Sequence, residues 1–330
     1  MKKIACVGYH ATGAGVIDDL FREFDNVAQG KYEVESRLLQ DPDGISDLEY
    51  NLIENPHRLN SGFAIKRYKQ YVERTERSYK KIFGKEWKRI SYSYIQSLVK
   101  IEYKGYWHGD IWLLNPVLRY YYYAQRAWSK IAPPIFRKPS YYNYFPWLTS
   151  FHVDLTREDF LLKTKKYIDD LCKALVGSDS SIDYVVLDQL LSPTNPERYI
   201  NYVNDIKVII VDRDPRDLYL HHRLHKDHTL PSTPHEFCIT YRDVRPPKQK
   251  SDNILYVNFE DMIYKYNSMR SRVLDFVGIE EEHHVYPKKY FNPDISIHGT
   301  RQWLRHPEFA DDIRIIEKEL PEFLYRYESI

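Results

Sequence analysis

The chain has 330 residues, 48 Lys and Arg against 47 Asp and Glu, and a net charge of +1. That length allows one large core or two modest ones, and the near-balance of charge gives no general pull toward nucleic acid, so no nucleic-acid partner is expected. Cys6, Cys172 and Cys238 are few, odd in number and far apart, which excludes a disulfide framework and a cysteine metal cluster and reads as buried thiols in a reducing compartment.

Residues 3–8 (KIACVG) are short, apolar and end at glycine, as a buried strand does. Val16, Ile17, Leu20, Phe21 and Phe24 follow at helical spacing. Between them lies GYHATGAG. Its first six residues spell the start of a phosphate-binding P-loop, but Ala14 and Gly15 stand where Lys and Ser or Thr normally follow. In this strand–loop–helix context the N–H groups of His10, Ala11, Thr12, Gly13, Ala14, Gly15 and Val16 form a candidate ring around a phosphate. Residues 32–39 alternate enough for a second strand, which runs into a QDPDG turn.

Helical patches follow over 47–53, 64–83 and 85–103. Tyrosine is the compositional outlier, at 30 residues, and many fall within 92–144. Trp107, Trp112, Trp128 and Trp147 lie in or beside that segment. Thr156 caps a helix running to about Leu175, with Asp159 as capping partner. Residues 183–188 (DYVVLD), 206–211 (IKVIIV) and 254–258 (ILYVN) read as strands, the second as a central parallel strand buried on both faces. A helix over 260–277 stops at Gly278, and a last one covers about 311–325. The expected fold is therefore α/β, with a central parallel sheet. One domain covers 1–330, with an aromatic-rich helical insertion at about 60–150.

Arg213-Asp214-Pro215-Arg216-Asp217 stands at the carboxyl end of the 206–211 strand, where open α/β sheets bind ligands. Arg213 offers a planar fork that matches phosphate. Pro215 suits the first turn of a helix, and Asp217 reads as its cap or as the partner of Arg216.

This block resembles the 3′-phosphate-binding motif of sulfotransferases that use 3′-phosphoadenosine 5′-phosphosulfate (PAPS): an apolar strand, then Arg-Asn/Asp-Pro-Arg/Lys-Asp, then a helix carrying Ser. Arg213 matches the family arginine, and His221 falls at the family serine. ILYVNFEDMIYKY (254–266) is similar to the family's late strand and helix start. FNPDISIHGTRQW (291–303) is similar to the closing loop of bacterial carbohydrate sulfotransferases, which makes Arg301 a candidate phosphate ligand and Trp303 a packing anchor. Residues 33–56 also look like a bacterial branch of the family.

The resemblance implies a three-layer α/β/α P-loop fold and transfer of a sulfuryl group from PAPS, without a metal, to a hydroxyl. Aromatic residues where the family places acceptor recognition suggest a carbohydrate, either a free glycan or a lipid-linked saccharide at a membrane face. The family's usual lysine, two residues before the loop glycine, is Ala11 here, so His10 or an arginine from elsewhere must replace it. Candidate bases are Asp188, near the place of the catalytic histidine in the cytosolic enzymes, and Glu35, Asp41 or Asp43, where the carbohydrate enzymes carry a glutamate. The pairs His221-His222 and His283-His284 do not have one-face spacing, so no metal site is expected. Two further readings are a sulfotransferase-like binding protein without catalysis and a P-loop kinase. No apolar stretch approaches the roughly 20 residues a bilayer span needs, and no signal peptide opens the chain, so a cytoplasmic location is expected.

Overall fold

The computed structural model describes residues 1–30, 34–105, 107–133 and 148–327. Strand β1 (Lys2–Gly8) leads through the His10 loop into α1 (Gly15–Phe21) and β2 (Val27–Gln29). A helical stretch follows: α2 (Ile45–Glu49), α3 (Arg58–Phe83), α4 (Trp87–Leu98), strand β3 (Ile101–Lys104), α5 (Pro116–Ile131), strand β4 (Leu148–Phe151) and α6 (Arg157–Val176). The chain then continues with β5 (Tyr184–Asp188), α7 (Pro196–Ile200), β6 (Ile206–Asp212), α8 (Pro215–His225), α9 (Pro234–Asp243), β7 (Ile254–Asn258), α10 (Phe259–Tyr264), α11 (Tyr266–Val277), α12 (Pro293–Ser296) and α13 (Ala310–Glu319).

Two compact units result. One comprises Met1–Gln40, Lys81–Gly84 and Cys172–Ile330; the other comprises Asp41–Lys80 and Lys85–Leu171. The second begins earlier and ends later than the insertion expected over about 60–150.

The first unit is α/β. Its five strands are all parallel, in the order β2-β5-β1-β6-β7. Val208, Ile209, Ile210 and Val211 of β6 are all fully buried. Consecutive strand residues point to opposite faces, so both faces of β6 are covered and a continuous β-branched run is what the position demands. On one face Ile209 and Val211 pack with Ile17, Leu20 and Phe21 of α1 and with Met262, Val273 and Leu274 of α10 and α11. Cys6, Cys172 and Cys238 are buried and free. Among the described residues no helix is long and apolar enough to cross a membrane.

Several expected elements differ. Among the described residues of 32–39 there is no strand: residues 34–36 are irregular and Arg37–Leu39 is a 3₁₀ turn, while Tyr32 and Glu33 lie outside the described residues. Leu38 and Leu39 are adjacent and both buried, which a half-buried strand of period two does not permit. The edge of β5 is taken instead by Val27–Gln29. The helix expected to reach Tyr103 ends at Leu98 and turns into the β3–β4 antiparallel pair. Lys265 breaks the helix over 260–277, with neither Gly nor Pro to announce it. The last helix stops at Glu319 because Pro321 cannot continue it.

In the second unit the tyrosines divide into two groups. Tyr68, Tyr71, Tyr79, Tyr94 and Tyr167 are buried, and their hydroxyls bond one another, Ser91 and Thr164. Tyr94 and Tyr167 stack at 4.3 Å. By contrast Trp112, Tyr120, Tyr121, Tyr123 and Trp128 are exposed. The aromatic run at 139–147, including Trp147, lies outside the described residues. At the helix start Thr156 accepts from the Asp159 N–H at 3.1 Å, as its capping role requires.

Replacing Ile209 by Ala should remove about 2–5 kcal/mol of stability, because a fully buried β-branched side chain leaves a cavity in a covered sheet. Urea denaturation followed by circular dichroism measures it.

Candidate functional site

The loop after β1 is held from below and open above. Thr12 is buried; its hydroxyl donates to the Val211 carbonyl at 2.7 Å and accepts from the Tyr9 N–H at 3.2 Å. His10, Ala11 and Gly13 have φ of 82°, 49° and 89°. A side chain at Gly13 would also strike the Phe259 ring, at 2.4 Å, so glycine is required there twice over. Turn conformations of this kind can present several N–H groups to one anion. Among the described residues, the N–H groups at positions 10–15 make no hydrogen bond. The Val16 N–H does, to the Gly13 carbonyl at 3.1 Å, which removes it from the expected cradle. Ala14 is buried as the α1 N-cap, and Gly15 is exposed.

At the end of β6 four acids and three arginines sort themselves specifically. Asp212 pairs with Arg245 at 3.0 Å. Asp214 caps α8, accepting from the Arg216 N–H at 2.9 Å, and pairs with the Arg216 side chain at 2.7 Å. Asp217 therefore neither caps the helix nor holds Arg216, contrary to expectation. It accepts the N–H groups of Arg301 and Gln302 at 2.9 and 2.7 Å, tying down the C-terminal loop. Burial pushes its carboxyl up to about 6. Glu260 accepts from the Asp214 N–H, and burial pushes it up to about 8.

Arg213 is left without a carboxylate among the described residues. It is 7% exposed. Its Nη1 donates to the Ala11 carbonyl at 3.3 Å and its Nη2 to the Gly299 carbonyl at 2.5 Å, and it lies 4.9 Å over the Phe259 ring. Its Nε is buried with no partner. His221 is half-buried nearby, and burial followed by the Arg213 charge holds its imidazole down to about 4. Arg301 adopts a left-handed conformation, with φ of 50°. Its guanidinium lies on the Tyr327 and Tyr264 rings and its Nε is unpartnered. Trp303 packs beneath the Arg216 guanidinium at 3.8 Å, beside the core of α8, α9 and α13.

The candidate bases separate. Asp188 ends β5 beside β1 and lines a small recess of about 10 Å³, room for about one water, with Asp18, Arg22 and Ser36. Burial, then the charges of Asp18 and Glu35, push it up to about 7, and its Oδ1 has no partner. Its neighbour Gln189 accepts from the Gly8 N–H at 3.3 Å. Glu35 is exposed and pairs with Arg37. Asp41 belongs to the helical unit, where it accepts from the Tyr71 hydroxyl, and Asp43 is held there by Arg67 and Arg74.

Sequence reasoning missed Asp18, whose carboxyl burial also raises. Its (i, i+4) pairing with Arg22 looks like ordinary helix-surface chemistry. It also missed that the His284 side chain is enclosed against Glu23 at 2.7 Å and stacked on Phe24, rather than solvated. His10, expected as a phosphate ligand or charge substitute, is exposed and stacks on buried His222 at 5.3 Å.

Comparison with known proteins adds no identity. No protein-family model matches the chain, and no curated protein matches it.

The raised Asp188 carboxyl has a consequence for stability. An Asp in an unfolded chain titrates near about 4. Between there and about 7 the folded form holds the extra proton, so this group's stabilisation is full below about pH 4 and is lost as pH rises through 7. The urea midpoint of the wild type should therefore fall relative to that of Asp188→Asn between about pH 4 and 8. Parallel pH profiles would contradict the assignment.

Proposed function

We propose that the chain is a PAPS-dependent sulfotransferase acting on a carbohydrate hydroxyl, with β1, its loop and α1 serving as the P-loop of a three-layer α/β/α fold. The observation that carries the reading is Arg213. It is a buried cation whose neighbouring acids are all taken by other partners. It is braced by two carbonyls, one of them in the loop whose N–H groups at 10–15 make no hydrogen bond, and its Nε has no partner. A guanidinium so placed matches an anion of fixed geometry. These residues fit a nucleotide carrying phosphate groups: the amides at positions 10–15 for the 5′ end, and Arg213 with His221 for the 3′-phosphate. Arg301, anchored through its backbone to Asp217, is the contribution of the C-terminal loop.

Bound PAPS supplies the sulfuryl group, whose S–O bond to phosphate breaks as one to the acceptor oxygen forms. The chain's residues bind and orient. The inward turn of the Thr12 hydroxyl toward Val211 suits a site with no metal-bound hydroxyl in the loop. At the place of the family lysine, the Ala11 carbonyl accepts from the Arg213 guanidinium. Asp188 takes the acceptor's proton at its unpartnered Oδ1; a carboxyl raised to about 7 is tuned for that exchange near neutral pH. The exposed rings of Trp112, Tyr120 and Trp128 support a sugar as the acceptor class.

Isothermal titration with 3′-phosphoadenosine 5′-phosphate tests the nucleotide site. Wild type should bind, and Arg213→Ala should weaken binding about 10- to 100-fold, the loss expected for charge-assisted hydrogen bonds of roughly 1.5–3 kcal/mol. Absence of wild-type binding, or undiminished binding by the variant, would refute the reading. Asp188→Asn should retain the nucleotide while sulfuryl transfer to a glycan acceptor falls about 10²- to 10⁴-fold. Nucleotide binding with no transfer by wild type would point to a non-catalytic relative.

A further inference from the structure

The loop after β1 and the end of α8 gather three metal-ligating side chains that are scattered in the sequence: His10, His222 and Asp227. His222 is 3% exposed, yet neither of its ring nitrogens makes a hydrogen bond. A buried imidazole whose nitrogens have no hydrogen bond and only one distant carboxylate contact requires an explanation. Its Nδ1 faces Asp227 Oδ2 at 3.5 Å. His10 Nε2 approaches the same oxygen at 3.4 Å, and all three ligand atoms lie within 4.8 Å of one another.

These separations are informative. A tetrahedral ion with bonds of about 2.0–2.1 Å spaces its ligands roughly 3.3 Å apart. Two of the three ligand–ligand edges are close to that value already. The third closes by rotation of His10, whose side chain is 47% exposed. Thr229 supplies an outer brace: its hydroxyl donates to Asp227 Oδ1 at 2.8 Å and meets His10 Nε2 at 2.6 Å. An ion would displace only the second of these contacts, and the first would keep the carboxylate aimed. His221, adjacent in sequence, has its ring turned 89° from that of His222 and adds no ligand. The spacing argument against adjacent histidines does not see a ligand delivered from a different loop.

We propose that His10, His222 and Asp227 form a Zn²⁺ site that pins the β1–α1 loop to the C-terminal end of α8. Two imidazoles and one carboxylate are a zinc donor set, and the fourth position stays open to water or to a group held by the loop. The site goes beyond the sulfuryl-transfer reading and does not rest on it.

The test uses the full chain, stripped with a chelator and titrated with Zn²⁺ by calorimetry and with Co²⁺ by visible absorption. Wild type should take up one ion per chain, and Co²⁺ should show the intense d–d bands of a tetrahedral site. His222→Ala and His10→Ala should each weaken Zn²⁺ binding at least about tenfold and abolish those bands. Far-UV circular dichroism controls for folding; if the buried His222 variant unfolds, the exposed His10 variant decides. No stoichiometric uptake by wild type, or uptake unchanged in His10→Ala, overturns the proposal.

Discussion

The structure turns on a buried guanidinium that its own neighbours decline to neutralise. β6 carries Arg213 to the carboxyl end of the sheet. There Asp212 is already held by Arg245 and Asp214 by Arg216. Removing a charge from water costs several kcal/mol unless something replaces the solvent. The replacement is partial: two carbonyls and the face of Phe259. Those carbonyls belong to Ala11 and Gly299, far apart in the chain. The conformations of the β1–α1 loop and of the C-terminal loop are therefore both tied to one side chain.

Carboxylates do the complementary work. Asp217 accepts two successive N–H groups of the C-terminal loop, and Glu23 accepts those of Tyr290 and Phe291 while pairing with His284. Each satisfies donors that an irregular segment would otherwise bury unpaired. A loop of short turns can thus hold Arg301 in a left-handed conformation with its side chain lying on Tyr327 and Tyr264. The same segment supplies Gly299 to Arg213, so the carboxyl end of β6 and the C-terminal loop are held together.

The tyrosines show how composition misleads until burial is known. Tyr68, Tyr94 and Tyr167 are core residues whose hydroxyls bond one another, Ser91 and Thr164. Tyr120, Tyr121 and Tyr123, on α5, leave their rings in solvent. Tyr94 of the first group and all of the second come from the same enriched stretch of sequence. Only the second is available to a ligand.

What the sequence determined by itself was four of the sheet's five strands. The apolar run ending at Gly8, the β-branched run ending at Val211, helical spacing after the loop, and Pro215 at the start of α8 are local signals, and these survive translation into structure. It also singled out Arg213, because a charge at the end of a buried strand has nowhere neutral to go. The tertiary structure decided the partners. That Asp214 rather than Asp217 caps α8, that Asp18 shares a recess with Asp188, and that His222 meets His10 instead of His221 all depend on atoms brought together from distant segments. The expected strand over 32–39 gave way for the same reason: β5 has one open edge there, and Val27–Gln29 occupies it. Pairing and burial are properties of the assembled sheet, and no spacing along the chain encodes them.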